Sequence, residues 1–110
     1  MDWSKNFSAA ITICNKEGII TYMNDLAAET FSNDGGYNLI GKNLSGCHSK
    51  NSNDKIKEIL KTGIPNVYSI EKNGKKKIIY QAPQIENKEI IGIVELSIEI
   101  PFDMPHHIRS

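Results

Sequence analysis

The stretch NKEGIITYMN, residues 15–24, decides how the chain folds. Asn-Lys-Glu-Gly is a polar turn ending in a glycine, and the run that follows, 19–23, is rich in β-branched and aromatic residues. Just upstream, AITIC (10–14) alternates Ile11 and Ile13 with Thr12 and Cys14, the period of a half-buried strand. Two short runs on either side of a loop ending in Gly18 predict a β-hairpin. At its end, Asn24 or Asp25 can cap a helix through LAAETF, a side-chain oxygen accepting one of the orphan N–H groups. Ala27 and Phe31 then share one face of that helix at i and i+4.

Further along, SNDGGYN breaks the helix, with Gly35 and Gly36 free to take positive φ, and LIGKNLSGCH reads as irregular or as a single turn. A second helix is predicted from near Ser52. Ile56, Ile59 and Leu60 form its apolar stripe, and Asp54 and Lys61 suit its dipole; Gly63 stands at the left-handed cap and Pro65 forbids continuation. NVYSIEK then meets KKKIIYQAP across Asn73-Gly74, a pair suited to a type I′ turn. QIENKE turns again into EIIGIVELSIEI. There Ile90, Val94, Leu96, Ile98 and Ile100 share a face with Gly92, a bending point, while Glu95, Ser97 and Glu99 lie on the other. The order β-β, helices, β-β-β predicts an α+β fold, a single five-stranded antiparallel sheet with short helices covering one face.

The bulk composition fits one domain. The chain has 110 residues, 39% hydrophobic and 24% charged, in the range of globular proteins. Thirteen basic and thirteen acidic residues cancel, which offers no broad electrostatic footprint for nucleic acid or an anionic membrane. There is no basic-then-apolar leader and no apolar run of membrane-spanning length, so the expected location is cytoplasmic and the two cysteines are read as free thiols.

These words in this order resemble the PAS domain family from about residue 9 to residue 100. NKEGIITYMN is similar to the family's opening pattern, AAETF to its first short helix and LIGKNL to its I-G-K/R-x-L element. KIKEILKTG resembles the connecting helix with its glycine stop, and GIVELSIEI the closing strand. The resemblance implies sheet order 2-1-5-4-3, helices over a central pocket, frequent homodimerisation, and sensing of a small molecule, redox state or light. On this reading residues 1–8 form an N-terminal cap segment, 9–100 the PAS domain and 101–110 a C-terminal tail. The fold alone does not name a ligand.

Cys47 beside His48 is the pair with the most chemistry open to it. Packing with a helix-end hydrogen bond, pocket lining, and metal or redox chemistry all remain open for it. In LOV-type flavin sensors the adduct-forming cysteine stands three positions after the element's glycine, which is Leu44 here, so Cys47 falls too late. In the photoactive yellow protein the chromophore-bearing cysteine lies further along. Haem-binding members place a histidine on the connecting helix, and His48 precedes its predicted start. Cys14, Cys47, His48, His106 and His107 show no zinc spacing. No cofactor or metal is assigned. The residues expected to line a pocket are Cys47, His48, Ile56, Leu60, Tyr68 and Tyr80, the two tyrosines being read foremost as paired core residues.

Trp3 and Phe7, four apart, form one apolar face, either a dimer interface or a lid on the same chain. The KNGKKK run (72–77) is read as a solvated hairpin tip, with an anion patch as the other reading. No nucleophile elbow or phosphate-binding loop is present, so no enzyme is expected. The expected role is a homodimeric PAS sensory domain with an unidentified effector. The rival is a ligand-free docking or dimerisation module, favoured by the excess of large aliphatics over polar groups.

Overall fold

Asn15 makes the first turn by accepting the N–H groups of Glu17 and Ile19 on its side-chain oxygen, both at 3.0 Å, with Gly18 at φ 82°. The computed structural model, which describes residues 2–43 and 50–110, places this turn between β1 (Ala10–Asn15) and β2 (Ile20–Met23). Helix α1 (Asp25–Thr30) follows, then two short 3-10 turns, Ser32–Asp34 and Gly36–Leu39. After α2 (Lys50–Thr62) come β3 (Asn66–Lys72), β4 (Lys75–Glu86) and β5 (Glu89–Ile100). All pairings are antiparallel, and the five strands lie in the order β2-β1-β5-β4-β3.

The last two hairpins turn through left-handed pairs. Asn73 and Gly74 have φ 54° and 76°, and Asn87 and Lys88 have φ 52° and 67°, the signature of type I′ turns. β4 runs on through Pro83, beyond the end of β3 at the Asn66–Gln81 pair, where the missing N–H breaks no β3 bond. Gly63, at φ 74°, closes α2 by donating its N–H to the Ile59 carbonyl at 2.8 Å.

Gly92 is required by a close approach. A Cβ there would stand 2.1 Å from the Cys14 carbonyl oxygen, so any side chain would push β1 off β5. Next to it the β4–β5 register shifts, since Gln84 faces Gly92 while Ile85 faces Ile90. This bulge turns Ile90 away from the face of Val94 expected for it and brings its Cδ1 to 3.6 Å from where a Cβ on Gly63 would sit, at the end of α2.

Both helices lie on one face of the sheet, α1 against β1 and α2 against β4 and β5. Under α1, Ala10, Ile20, Met23, Ala27 and Leu39 form one core; under α2, Cys14, Ile59 and Ile93 form another. Ala27 is fully buried, its small side chain letting α1 sit close to β1.

A helix of six residues does not hold itself together, so α1 depends on its cap. Asn24, wholly buried, supplies it. Its Oδ1 accepts from Ala27 N–H at 3.0 Å and from Ile11 N–H at 2.9 Å, and its Nδ2 donates to the carbonyls of Ser4 at 3.0 Å and Ala9 at 2.8 Å. One amide therefore ties α1, β1 and the N-terminal segment together. Asn24→Ala loses a cap worth about 1 kcal/mol and strands buried groups at about 1–3 kcal/mol each. A loss of about 4 kcal/mol or more in a urea titration is expected. A loss below about 1 kcal/mol would mean that water replaces the amide.

Candidate functional site

Strand register assigns every sheet side chain to a face. Ala10, Thr12 and Cys14 of β1 point toward the helices, and their partners across β5 are Ser97, Glu95 and Ile93. The same rows continue to Ile79, Gln81 and Pro83 on β4, then to Tyr68 and Asn66 on β3. The opposite face carries Ile11, Ile13, Val94, Leu96, Ile98, Ile100, Ile78, Tyr80 and Val67. The alternation in β5 is the expected one, but its polar half meets the helices and its aliphatic half faces away.

A hydrogen-bonded row crosses the centre of the helix-side face. Asn66 Nδ2 donates to Gln81 Oε1 at 3.0 Å, and Gln81 Nε2 donates to Glu95 Oε1 at 2.8 Å. Gln81 is buried, and so is Thr12, which stands opposite Glu95 on β1. The amides of Gln81 and Asn66 thereby aim a carboxylate at the middle of the sheet. Glu95 acts on two neighbours. Burial raises the Cys14 thiol above its ordinary value, a hydrogen bond from the Ile93 backbone lowers it, and the Glu95 charge raises it again. Burial and then Glu95 likewise raise the Tyr68 phenol. The wall above is apolar: Ile59 is buried against Cys14 and Ile93, with Ile56 and Leu60 packed beside it.

Of the residues expected to line a pocket, the structure gathers Ile56 and Leu60 at one end of this face and Tyr68 at the other. Cys47 and His48 lie outside the described residues. Tyr80 lies on the opposite face, since Val67 and Tyr80 face each other while Tyr68 faces Ile79. Tyr68 and Tyr80 are therefore not a core pair: Tyr68, on the edge strand β3, is 42% exposed, and Tyr80, on the far face of β4, is 38% exposed. Sequence reasoning missed Thr12, Cys14, Asn66, Gln81 and Glu95 as site residues. Their signal was the amide and acid residues set among apolar ones at matching strand positions, which becomes readable only once the register is known.

Trp3 and Phe7 touch edge to face, ring centroids 5.3 Å apart, at 65% and 47% exposure. Their segment is tied down by Asp25 N–H donating to the Lys5 carbonyl at 3.0 Å and by Ser4 Oγ hydrogen-bonding Tyr22 Oη at 2.7 Å. Beside it the Tyr37 phenol, hydrogen-bonded to Asp25, is pushed up to about 12. Among the described residues no group of three or more His, Cys, Asp or Glu could hold a metal ion, and no helix is long and apolar enough to cross a membrane.

No protein-family model matches the sequence, and no curated protein sequence matches it. Solved structures do match the fold. The PAS domain of the histidine kinase ThkA superposes with a TM-score of 0.69 at 17% identity, over 84% of this chain and 99% of its own. The Aer2 receptor from Vibrio cholerae, a dual PAS-heme oxygen sensor, gives 0.66 at 19% identity over 84% and 95% of the two chains. A sensory box sensor histidine kinase from Vibrio cholerae gives 0.68 at 16% identity over 87% and 85%. The chain has the PAS fold, with the sheet order that the resemblance implied.

The raised Cys14 thiol makes a pH prediction with a definite sign. Above the ordinary thiol value, about 8.5, the folded state holds a proton that the unfolded state has lost, so stability falls as pH rises. This contribution is complete below that value and disappears as pH climbs through the raised folded value. The gap in urea midpoint between wild type and Cys14→Ala is expected to narrow between about pH 7.5 and about pH 10. A gap that stays constant would mean that the thiol titrates at its ordinary value.

Proposed function

We propose that this chain is a PAS-like sensory domain, its unit spanning 9–100, which reads a small polar molecule held between the helix-side face of the sheet and α2. One observation carries the reading: the face beneath the helices presents the hydrogen-bonded row Asn66–Gln81–Glu95 between Ile93 and Ile79, while Val94, Leu96, Ile98 and Ile78 sit on the far face. Polar groups under cover cost free energy unless they are hydrogen-bonded, and a carboxylate held by a buried amide is suited to meet a hydrogen-bond donor. The expected ligand carries an N–H or O–H group toward Glu95 and an apolar body toward Ile56, Ile59 and Leu60. Binding acts by favouring one packing of α2 on Cys14 and Ile93 over another, in proportion to the ligand's differential affinity for the two.

The Aer2 receptor is a PAS-heme sensor, and here His48, the histidine nearest α2 in sequence, lies outside the described residues. Among the described residues the histidines are His106 and His107, both in the exposed tail. A native mass spectrum of freshly purified protein, beside a denaturing one, tests the proposal. Extra mass that leaves on denaturation is expected. Glu95→Gln keeps an acceptor for Gln81 and loses the charge, so occupancy should fall about tenfold or more. A wild-type spectrum with no added mass, unaltered by a metabolite screen, favours the docking module instead.

The far face supports a homodimeric assembly or a docking role. Val67 and Tyr80 are 54% and 38% exposed there, alongside half-buried Ile78, Leu96 and Ile98. Aromatic residues such as Trp3 and Phe7, exposed on a tethered segment, are frequent anchors of interfaces. Sedimentation is expected to show a dimer in the wild type and a monomer in the Trp3→Ala/Phe7→Ala variant at equal concentration. A variant that remains dimeric would make the pair a lid on its own chain.

A further inference from the structure

A groove of 420 Å³ opens on the helix-side face away from α2, between α1 and the base of the β3–β4 hairpin. Leu26, Glu29, Thr30 and Asn33 line one side of it, and Lys72, Lys75, Lys77 and Ser97 the other. Strand alternation explains this gathering of lysines. Lys72 faces Lys75 across the turn, and Lys77 follows two residues later on the same face, while Lys76 pairs with Glu71 and Ile100 on the far face. The run forms an exposed hairpin tip, as expected, and Lys72, Lys75 and Lys77 of it also line the groove.

Their neutralisation is incomplete. Glu99 stands opposite Lys77 in register, yet its Oε1 lies 3.7 Å from Lys75 Nζ. Lys72 and Lys77 have no ion-pair partner among the described residues. As diagonal neighbours on an antiparallel pair their Cα atoms are about 7–8 Å apart, which lets two long ammonium side chains converge on one anionic group. Asn33, Asn73 and Ser97 offer further polar groups around the same space. Glu29 on the α1 side disfavours negative charge there, so the groove has a cationic end at the hairpin and an acidic end at α1.

We infer that this groove is a binding site for a small molecule bearing one carboxylate or phosphate group, held by Lys72 and Lys77, with hydrogen-bond donors on its body facing Glu29. The site is separate from the Glu95 row and does not depend on that reading. The test is a titration of the isotope-labelled protein with inorganic phosphate and, separately, with succinate, at constant ionic strength, following backbone amide shifts. Saturable shifts confined to residues 29–33, 72–77 and 97 are expected. Lys72→Gln/Lys77→Gln should weaken binding at least tenfold, and Lys76→Gln, which removes the same kind of charge from the far face, should leave it unchanged. If the double variant disturbs the hairpin spectrum, Lys77→Gln alone should weaken binding at least threefold. Tighter phosphate would mark a phosphoryl ligand, and tighter succinate a carboxylate. Shifts that grow linearly without saturating, or equal weakening by Lys76→Gln, would overturn the inference.

Discussion

Asn24 is the constraint on which the rest of the structure depends. Its side-chain amide satisfies two donors and two acceptors at once, from Ala27, Ile11, Ser4 and Ala9. This is the full capacity of one amide's oxygen and nitrogen in a site closed to water. The cap fixes where α1 begins, the bond to Ile11 fixes the height of α1 over β1, and the bond to Ser4 fixes the entry of the N-terminal segment. Asp25, the other capping candidate, instead donates its own N–H to Lys5. A carboxylate at position 24 has no donors for the carbonyls of Ser4 and Ala9, which explains why an amide does the work.

Much of the fold was legible because local chemistry and topology agreed. Asn73-Gly74 turned as a type I′ pair, Gly63 closed α2, and the hairpin–helix–hairpin order left few ways to unite five strands. The faces were not legible. Period-2 alternation separates Val94 and Leu96 from Glu95 and Ser97 with certainty, but it carries no sign saying which set meets the helices. In β5 the helices take Ile93, Glu95 and Ser97, and the Val94, Leu96, Ile98 and Ile100 set faces away. The bulge beside Gly92 compounded the problem by moving Ile90 to the helix side, and nothing local marks which residue will be the extra one. Tyr80 was misplaced for the same reason: one step of register separates it from the row of Tyr68.

The helix-side face thus joins two small buried cores, under α1 and under α2, to a polar row, and the far face carries Val94, Leu96, Ile98 and Ile78. The sheet is well suited to two kinds of contact. The helix side can exchange hydrogen bonds with something small, because Gln81 holds Glu95 in place without exhausting the carboxylate's accepting capacity. The far side offers an apolar surface that association can bury, because Leu96, Ile98 and Ile78 are only half-buried within one chain. Excess aliphatic content, read from the sequence as favouring a filled pocket, therefore belongs largely to the other surface.

The two sides are coupled through β5. Ile93 packs under Ile59 of α2, Val94 faces the far side, and Glu95 returns to the helix side, so consecutive residues of one strand alternate between both contacts. Among the described residues, Ile59, Ile56 and Leu60 pack α2 on the cluster that contains Ile93 of this strand, and Ile90 approaches Gly63 just past the end of the helix. Burying an isoleucine such as Ile59 contributes about 2 kcal/mol. One charge-assisted hydrogen bond to Glu95 is of the same order, about 1.5–3 kcal/mol. A single bond at Glu95 is thus of the same order as the burial of one α2 isoleucine. On the proposed reading, a ligand that favours one packing of α2 over another by about 1.4 kcal/mol shifts the two populations tenfold.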